Sequence, residues 1–231
     1  MSDPGTPTAD PGLKGEITTT EPDRHERTLA RRSAESRATV PTVEYTSVAD
    51  VDALLTRELE MGCGVTAAVI TAAARALRTI PRVNGAYRDG RYEVYSRVNV
   101  GVTLISDGVH VTPTIFDADA KAVVAISGEL ADLHGRARAT GLHASELAGA
   151  TFTVIDSSEY DILEVTPLVW PGQAGALAFG PVRDVPVLRD GVVVAGRTMQ
   201  LSLAVDHRIV YGHHAAAFLA EVKSSLEEAR I

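Results

Sequence analysis

With one cysteine in 231 residues the chain cannot form an intrachain disulfide, and a reducing compartment is the expected setting. That residue, Cys63, lies in Met61-Gly62-Cys63-Gly64, where buried packing is favoured over a nucleophilic role. Basic charge is short too. Lys and Arg number 22 against 30 Asp and Glu, giving a formal net charge of −8. No clustered basic stripe overrides that balance, so no nucleic-acid partner is expected. No apolar run reaches the roughly 18 residues of a membrane span, and the N-terminus does not read as a secretory signal. A soluble, cytoplasmic protein without a membrane partner is expected. Internal repeats and a Gly-rich nucleotide loop are also missing.

A hydrophobic fraction of 45% and a mean hydropathy of +0.05 describe an ordinary globule, long enough for one large domain or two small ones. Residues 1–23, rich in Pro, Gly, Thr and Asp, read as a disordered leader or an arm ordered by a neighbour. Residues 24–231 read as a single domain. It opens on a short helix around His25–Arg37 dense in arginine. That helix is either simply solvated or uses Arg31 and Arg32 to meet an anion such as a nucleotide phosphate. A strand over Thr42–Ser47 follows Pro41, then helices over Val51–Leu59 and Thr66–Leu77, with Thr66 as N-cap and Pro81 as stop.

Asp89-Gly90 between Tyr87 and Tyr92 signals a hairpin. Ser96–Ser106 reads as one long strand with Val98, Val100, Val102 and Leu104 on one face, and Asp107-Gly108 as the opening of the next stretch. Helical spacing returns over Lys121–Arg138 and briefly over His143–Leu147. Strands are expected at Gly149–Val154 and Ala174–Pro181, and Asp190-Gly191 turns a last hairpin into Val192–Val205. Strands and helices mix without a strict βαβ rhythm. A mixed sheet with helices on one face is therefore favoured over a doubly wound parallel sheet.

The chain is organised around Ser202–Ser225. A strand alternating through Met199, Leu201, Leu203 and Val205 runs into Asp206-His207-Arg208, and after Gly212 helical spacing places Ala215, Phe218, Leu219 and Val222 on one stripe. His207 thus sits between an acid and a base, where a strand ends and a helix is about to begin. A loop held by rigid elements can fix a side chain and still leave it reachable.

His207-Arg208-Ile209-Val210-Tyr211-Gly212 resembles the His-Arg-x-x-Asp-Gly signature of the acyltransferase cores of 2-oxoacid dehydrogenase complexes, relatives of chloramphenicol acetyltransferase. The resemblance covers about Arg27–Ile231. It is carried by Pro81-Arg82-Val83-Asn84, by the Asp107–Asp119 stretch, by Gly149-Ala150-Thr151-Phe152-Thr153-Val154 and by Thr166-Pro167-Leu168-Val169-Trp170-Pro171. It implies an α/β fold, the chloramphenicol-acetyltransferase-like two-layer sandwich with a mixed β-sheet. It also implies His207 as general base, drawing a proton from a thiol or hydroxyl that then attacks a thioester. Work of this kind contributes roughly 10²–10⁴-fold, and histidine is suited to it without tuning.

Two positions depart from the family. Where the family has an oxyanion serine after its Thr-Phe-Thr-Ile run, this chain has Ile155, followed by Asp156, Ser157 and Ser158. The oxyanion candidate is then Ser157 after a small local shift, or else a backbone N–H; Asp156 is expected to face the acceptor or solvent. Tyr211 replaces the motif aspartate, either donating to a substrate or, as favoured, packing beneath the following helix. Trp170, the only tryptophan, either lines an acceptor pocket or packs. His213 and His214 raise the question of a metal. Adjacent histidines at a helix start are expected to point apart, and no acidic or cysteine cluster completes a set, so none is expected.

The resemblance further implies acetyl-CoA as cosubstrate with no bound cofactor, and a homotrimer or multiple of trimers with the site between subunits. With only Lys14, Lys121 and Lys223 as lysines, none in a lipoyl-type turn, the chain reads as a free-standing catalytic core. The expected activity is acetyl transfer from acetyl-CoA to a hydroxyl of a small molecule, as in tetronate natural-product pathways. The alternatives are a dehydrogenase-complex core that takes dihydrolipoamide in trans, and a non-catalytic scaffold.

Overall fold

The fold is described from a computed structural model, covering residues 15–106, 109–139 and 141–231. Met1–Lys14, which form most of the expected leader, and the expected turn at Asp107-Gly108 lie outside the described residues.

The longest strand, β10 (Val192–Asp206), holds the sheet together. Its C-terminal half pairs antiparallel with β1 (Thr42–Asp50), Thr42 opposite Asp206, and on its other side with β8 (Gly175–Phe179), Leu203 opposite Leu177. Beyond β8 the pairing turns parallel, first to β7 (Phe152–Asp156) and then to β4 (Val100–Ser106). The short strands β5 (Val109–Val111) and β6 (Thr114–Ile115) close that edge. The N-terminal half of β10 pairs instead with β9 (Arg183–Arg189) as a ribbon turned at Asp190-Gly191. A separate hairpin joins β2 (Gly85–Arg88) to β3 (Arg91–Val94), with Tyr87 opposite Tyr92 across the Asp89-Gly90 turn.

Alternation on β10 decides which layer goes where. Met199, Leu201, Leu203 and Val205 are buried in the main core, while Ala204 turns to the other face and packs on Val40 and Val169. The core side is covered by α2 (Asp52–Met61), α3 (Val65–Thr79), α4 (Val123–Ala139) and α5 (Gly212–Glu227). Among these, α3 is alanine-rich and buried over most of its surface, which lets it lie between α4 and α5. The stripe anticipated on α5 is buried, and Phe218 meets Phe152 of β7 at a centroid distance of 5.4 Å. On the opposite face α1 (Arg24–Thr39) is tied down by the Ser36 hydroxyl, which donates to the Val169 carbonyl at 2.7 Å. Its start is fixed by a capping box, Asp23 and Glu26 each bonding the other's amide. The result is the expected mixed-sheet α/β sandwich. No single helix among the described residues is long and apolar enough to cross a membrane.

Three local expectations change. The N-cap of α3 is Gly64, because Thr66 lies inside the first turn and its hydroxyl is drawn to Asp156. The expected long strand starts only at Val100: Arg97 is held by Asp117, and the Asn99 amide bonds the Thr151 hydroxyl rather than a strand partner. The short helix at His143–Leu147 is a 3-10 turn, Ala144–Leu147.

Candidate active site

His207 is the first residue past β10, and its main chain is pinned on both sides. The Asp206 amide donates to Ala174 and the His207 amide donates to Pro41, each at 2.9 Å. The amides of Ile209 and Val210 both return to the Asp206 carbonyl, closing a tight turn. The Asp206 carboxylate is buried and accepts from two guanidinium nitrogens of Arg208, Nε at 2.9 Å and Nη2 at 2.7 Å. That contact pushes the Arg208 pKa above its usual range and supplies the charge that a buried carboxylate requires. The acid and base flanking His207 therefore hold each other, while the histidine itself is exposed. This is a fixed backbone presenting an open imidazole, the requirement for a proton acceptor that must be reached.

Tyr211 caps α5 by position only, with no side-chain bond to the helix. The structure corrects the expectation that it packs beneath α5. Its ring is exposed, edge-on to His207 at 5.9 Å and 69°, and its hydroxyl lies 2.9 Å from that of Tyr92. Arg82 lies against Tyr92 at 4.1 Å and Tyr211 at 5.6 Å, and its Nε donates to the Ile209 carbonyl at 2.8 Å. The expectation that His213 and His214 diverge also fails, since their rings are 3.7 Å apart. Burial, then His213 and Arg82, hold the His214 pKa below its usual value. Among the described residues no group of three or more His, Cys, Asp or Glu is arranged to hold a metal ion.

At the end of β7 the hydroxyls all have partners. The Thr66 hydroxyl donates to Asp156 Oδ2 at 2.7 Å, and Ser158 donates to Asp156 Oδ1 at 2.5 Å. Ser157 is buried, and its Oγ donates to the Phe179 carbonyl at 2.9 Å, which leaves it no proton for an oxyanion. Ile155 is half-buried and has no donor to offer. Asp156 is half-buried and its carboxylate is engaged by Thr66 and Ser158. It organises the turn after β7 and lines a cavity of about 250 Å³ with Cys63, Thr66, Ser127 and His134. Cys63 is buried there as packing, and desolvation raises its thiol pKa.

Of the two arginines singled out on α1, Arg31 reaches Glu35, at 3.9 Å. Arg32 lies 4.9 Å over the Trp170 ring. Both Arg32 and Trp170 line a cavity of about 400 Å³ with Thr28, Gly149, Thr153 and Gln173. A cation against an indole beside hydroxyls and an amide suits a flat ring or an anionic group. A third cavity, about 410 Å³, reaches the His207 turn through Asp206 and Arg208 and is bounded by Glu35, Tyr87 and Arg88. His207 thus comes together with Tyr211, while Asp156, Ser157 and the Arg32–Trp170 pair belong to other surfaces. Arg82, Tyr87 and Tyr92 escaped sequence reasoning. The Asp89-Gly90 turn locates their hairpin but carries no signal for where it docks.

Residues 14–230 match the family described as 2-oxoacid dehydrogenases acyltransferase (catalytic domain). The dihydrolipoyllysine-residue acetyltransferase component of the pyruvate dehydrogenase complex of Zymomonas mobilis is 29% identical over 211 residues, 87% of this chain and 48% of that protein. The chain spans about half the length of that relative. The solved dihydrolipoamide acetyltransferase of Azotobacter vinelandii superposes with a TM-score of 0.89 at 24% identity, covering 98% of each chain. A chloramphenicol acetyltransferase superposes with a TM-score of 0.55 at 17% identity, covering 85% of this chain and 94% of that one, which shows the shared fold. A pinned histidine closing the last strand of this sandwich and a match running through almost the whole sequence lead to one conclusion: the chain belongs to the 2-oxoacid dehydrogenase acyltransferase catalytic-domain family.

Proposed function

We propose that the chain is an acyltransferase domain that moves an acyl group between coenzyme A and the thiol of a dihydrolipoyl group. The observation that carries this is the open imidazole of His207 on a turn fixed by Asp206, Arg208 and Pro41. His207 takes the proton of the incoming thiol, and the sulfur adds to the thioester carbonyl. The tetrahedral intermediate then expels the other thiolate, which the imidazolium protonates, so protons and acyl group balance. Acetyl-CoA is the donor in the assay direction, and Arg32 with Trp170 is the candidate contact for its adenylate end.

The oxyanion donor in this reading is a backbone N–H, since the hydroxyls of Thr66, Ser157 and Ser158 are all committed to protein acceptors. A threefold assembly fits as well. In one chain His207 is exposed, and the cavities at the end of β7 and beneath α1 are lined by other residues.

A second reading, transfer to a small-molecule hydroxyl, is favoured by Ile155 and Tyr211 standing where the family has serine and aspartate. Thiol release from acetyl-CoA, measured with dihydrolipoamide and with a panel of hydroxyl acceptors, separates the two. Turnover with dihydrolipoamide that falls at least about a hundredfold in His207→Ala is expected. Turnover with hydroxyls alone establishes the second reading, and silence with both, in a protein that still binds CoA, makes it a non-catalytic scaffold.

A further inference from the structure

The hairpin β2–β3 touches the His207 turn at two places after the histidine. Arg208, immediately after His207, lies 4.8 Å over the ring of Tyr87. Tyr211, four residues on, meets the hydroxyl of Tyr92 at 2.9 Å. Tyr87 and Tyr92 face each other across the hairpin register with ring centroids 6.0 Å apart. Arg82, just before the hairpin, closes the set by bonding the Ile209 carbonyl and lying against both Tyr92 and Tyr211.

A second observation points the same way. The N-cap, the residue just before a helix, favours Asp, Asn, Ser or Thr, whose side chains bond the free amides, and giving up such a cap costs ~1 kcal/mol. Tyr211 occupies that position and makes no cap bond. What the chain gains there is an aromatic edge contact with His207, at 5.9 Å and 69°. The Tyr92 hydroxyl, then burial, hold the Tyr211 pKa above that of a free phenol.

We infer that Tyr211, clamped by Tyr92 and Arg82, is a positioning residue that fixes the imidazole plane of His207, and that the β2–β3 hairpin is the clamp. The kinetic part rests on His207 as the general base. The clamp itself does not, and the test separates the two.

The variants are Tyr92→Phe, Tyr211→Phe and the double variant, each removing the hydroxyl pair while keeping the rings. In the acyl-transfer assay each single variant is expected to lower kcat roughly tenfold with KM unchanged, as a small misplacement of a reacting group does. The double variant is expected to be no slower than the slower single one, because all three lose the same bond. Additive losses, an unchanged kcat, or a raised KM with kcat intact would overturn the proposal, the last by making Tyr211 a substrate contact. Nuclear Overhauser contacts between the His207 and Tyr211 rings supply the arm that needs no activity. They are expected in the native protein and weakened in Tyr92→Phe, and their persistence at full strength would sink the clamp even if no acyl transfer is found. An inactive native protein that keeps these contacts and loses them in Tyr92→Phe would retire the proposed activity and leave the clamp standing.

Discussion

The hydroxyl of Ser157 donates to the Phe179 carbonyl at 2.9 Å, and the Ser157 amide uses the same carbonyl at 3.0 Å. The serine therefore fastens the end of β7 to the end of β8. Ser157→Ala is expected to cost about 1 kcal/mol of stability, the ordinary worth of one hydrogen bond, and to leave acyl transfer per folded molecule within about twofold of the native rate. A hydroxyl acting on an oxyanion would instead cost roughly 10²–10³ in rate. Urea denaturation and a steady-state assay on the same preparation distinguish the two roles.

Phe218 and Phe152 lie fully buried at 5.4 Å between α5 and the sheet. Phe218→Ala removes a fully buried ring and leaves a cavity, and is expected to cost about 3–5 kcal/mol. Equilibrium denaturation reads this as a lower midpoint with an unchanged slope. A loss below 1 kcal/mol would mean that α5 repacks freely.

The Cys63 thiol is buried, and desolvation, with the neighbouring Glu58 adding to it, pushes its pKa up. Reaction with a chromogenic disulfide reagent at pH 8 is expected to be slow in the folded protein and to reach one thiol per chain only after denaturation. Fast labelling of the folded protein would show that the cavity beside α3 admits the reagent.

Arg136 holds Glu146 through both carboxylate oxygens, and the His143 amide adds a third bond, bringing the Glu146 pKa from 4.5 down to about 2. A depressed carboxylate pKa stabilises the fold fully above the unfolded value, and that contribution is lost as the pH falls from about 4.5 toward 2. The Glu146 side-chain carbon signal is expected to titrate near the lower limit in the native protein and close to the ordinary glutamate value in Arg136→Gln. The same midpoint in both would contradict the ion pair.

Much of the architecture was legible because burial writes itself into spacing. The alternation from Met199 to Val205 and the stripe from Ala215 to Val222 each name a face, and those faces are the buried ones. The turn pairs Asp89-Gly90 and Asp190-Gly191 mark hairpins because both positions adopt positive φ there. His207 was legible from its place between a period-two and a period-3.6 segment. Its neighbours were not. Tyr211 was expected under α5, and only the docking of a hairpin more than a hundred residues earlier in the chain turns it outward to Tyr92. The commitment of Ser157 to Phe179 was hidden for the same reason, since a strand-end pairing leaves no mark in local sequence. Arg208, by contrast, finds its partner two residues away in Asp206.

The pairing of β1 with β10 sets a schedule for biosynthesis. Thr42–Asp50 is made early, but its only sheet neighbour among the described residues, the stretch from Thr198 to Asp206, comes near their end. At translation rates of about 5–20 residues per second, β1 waits roughly 8–30 s with its edges unmet. Nor can β8 gain its antiparallel partner before then. The sheet that carries His207 thus closes last, in one long-range step that topology makes slow, and a nascent chain stalled ahead of β10 presents two strand edges to chaperones or to its neighbours on the polysome.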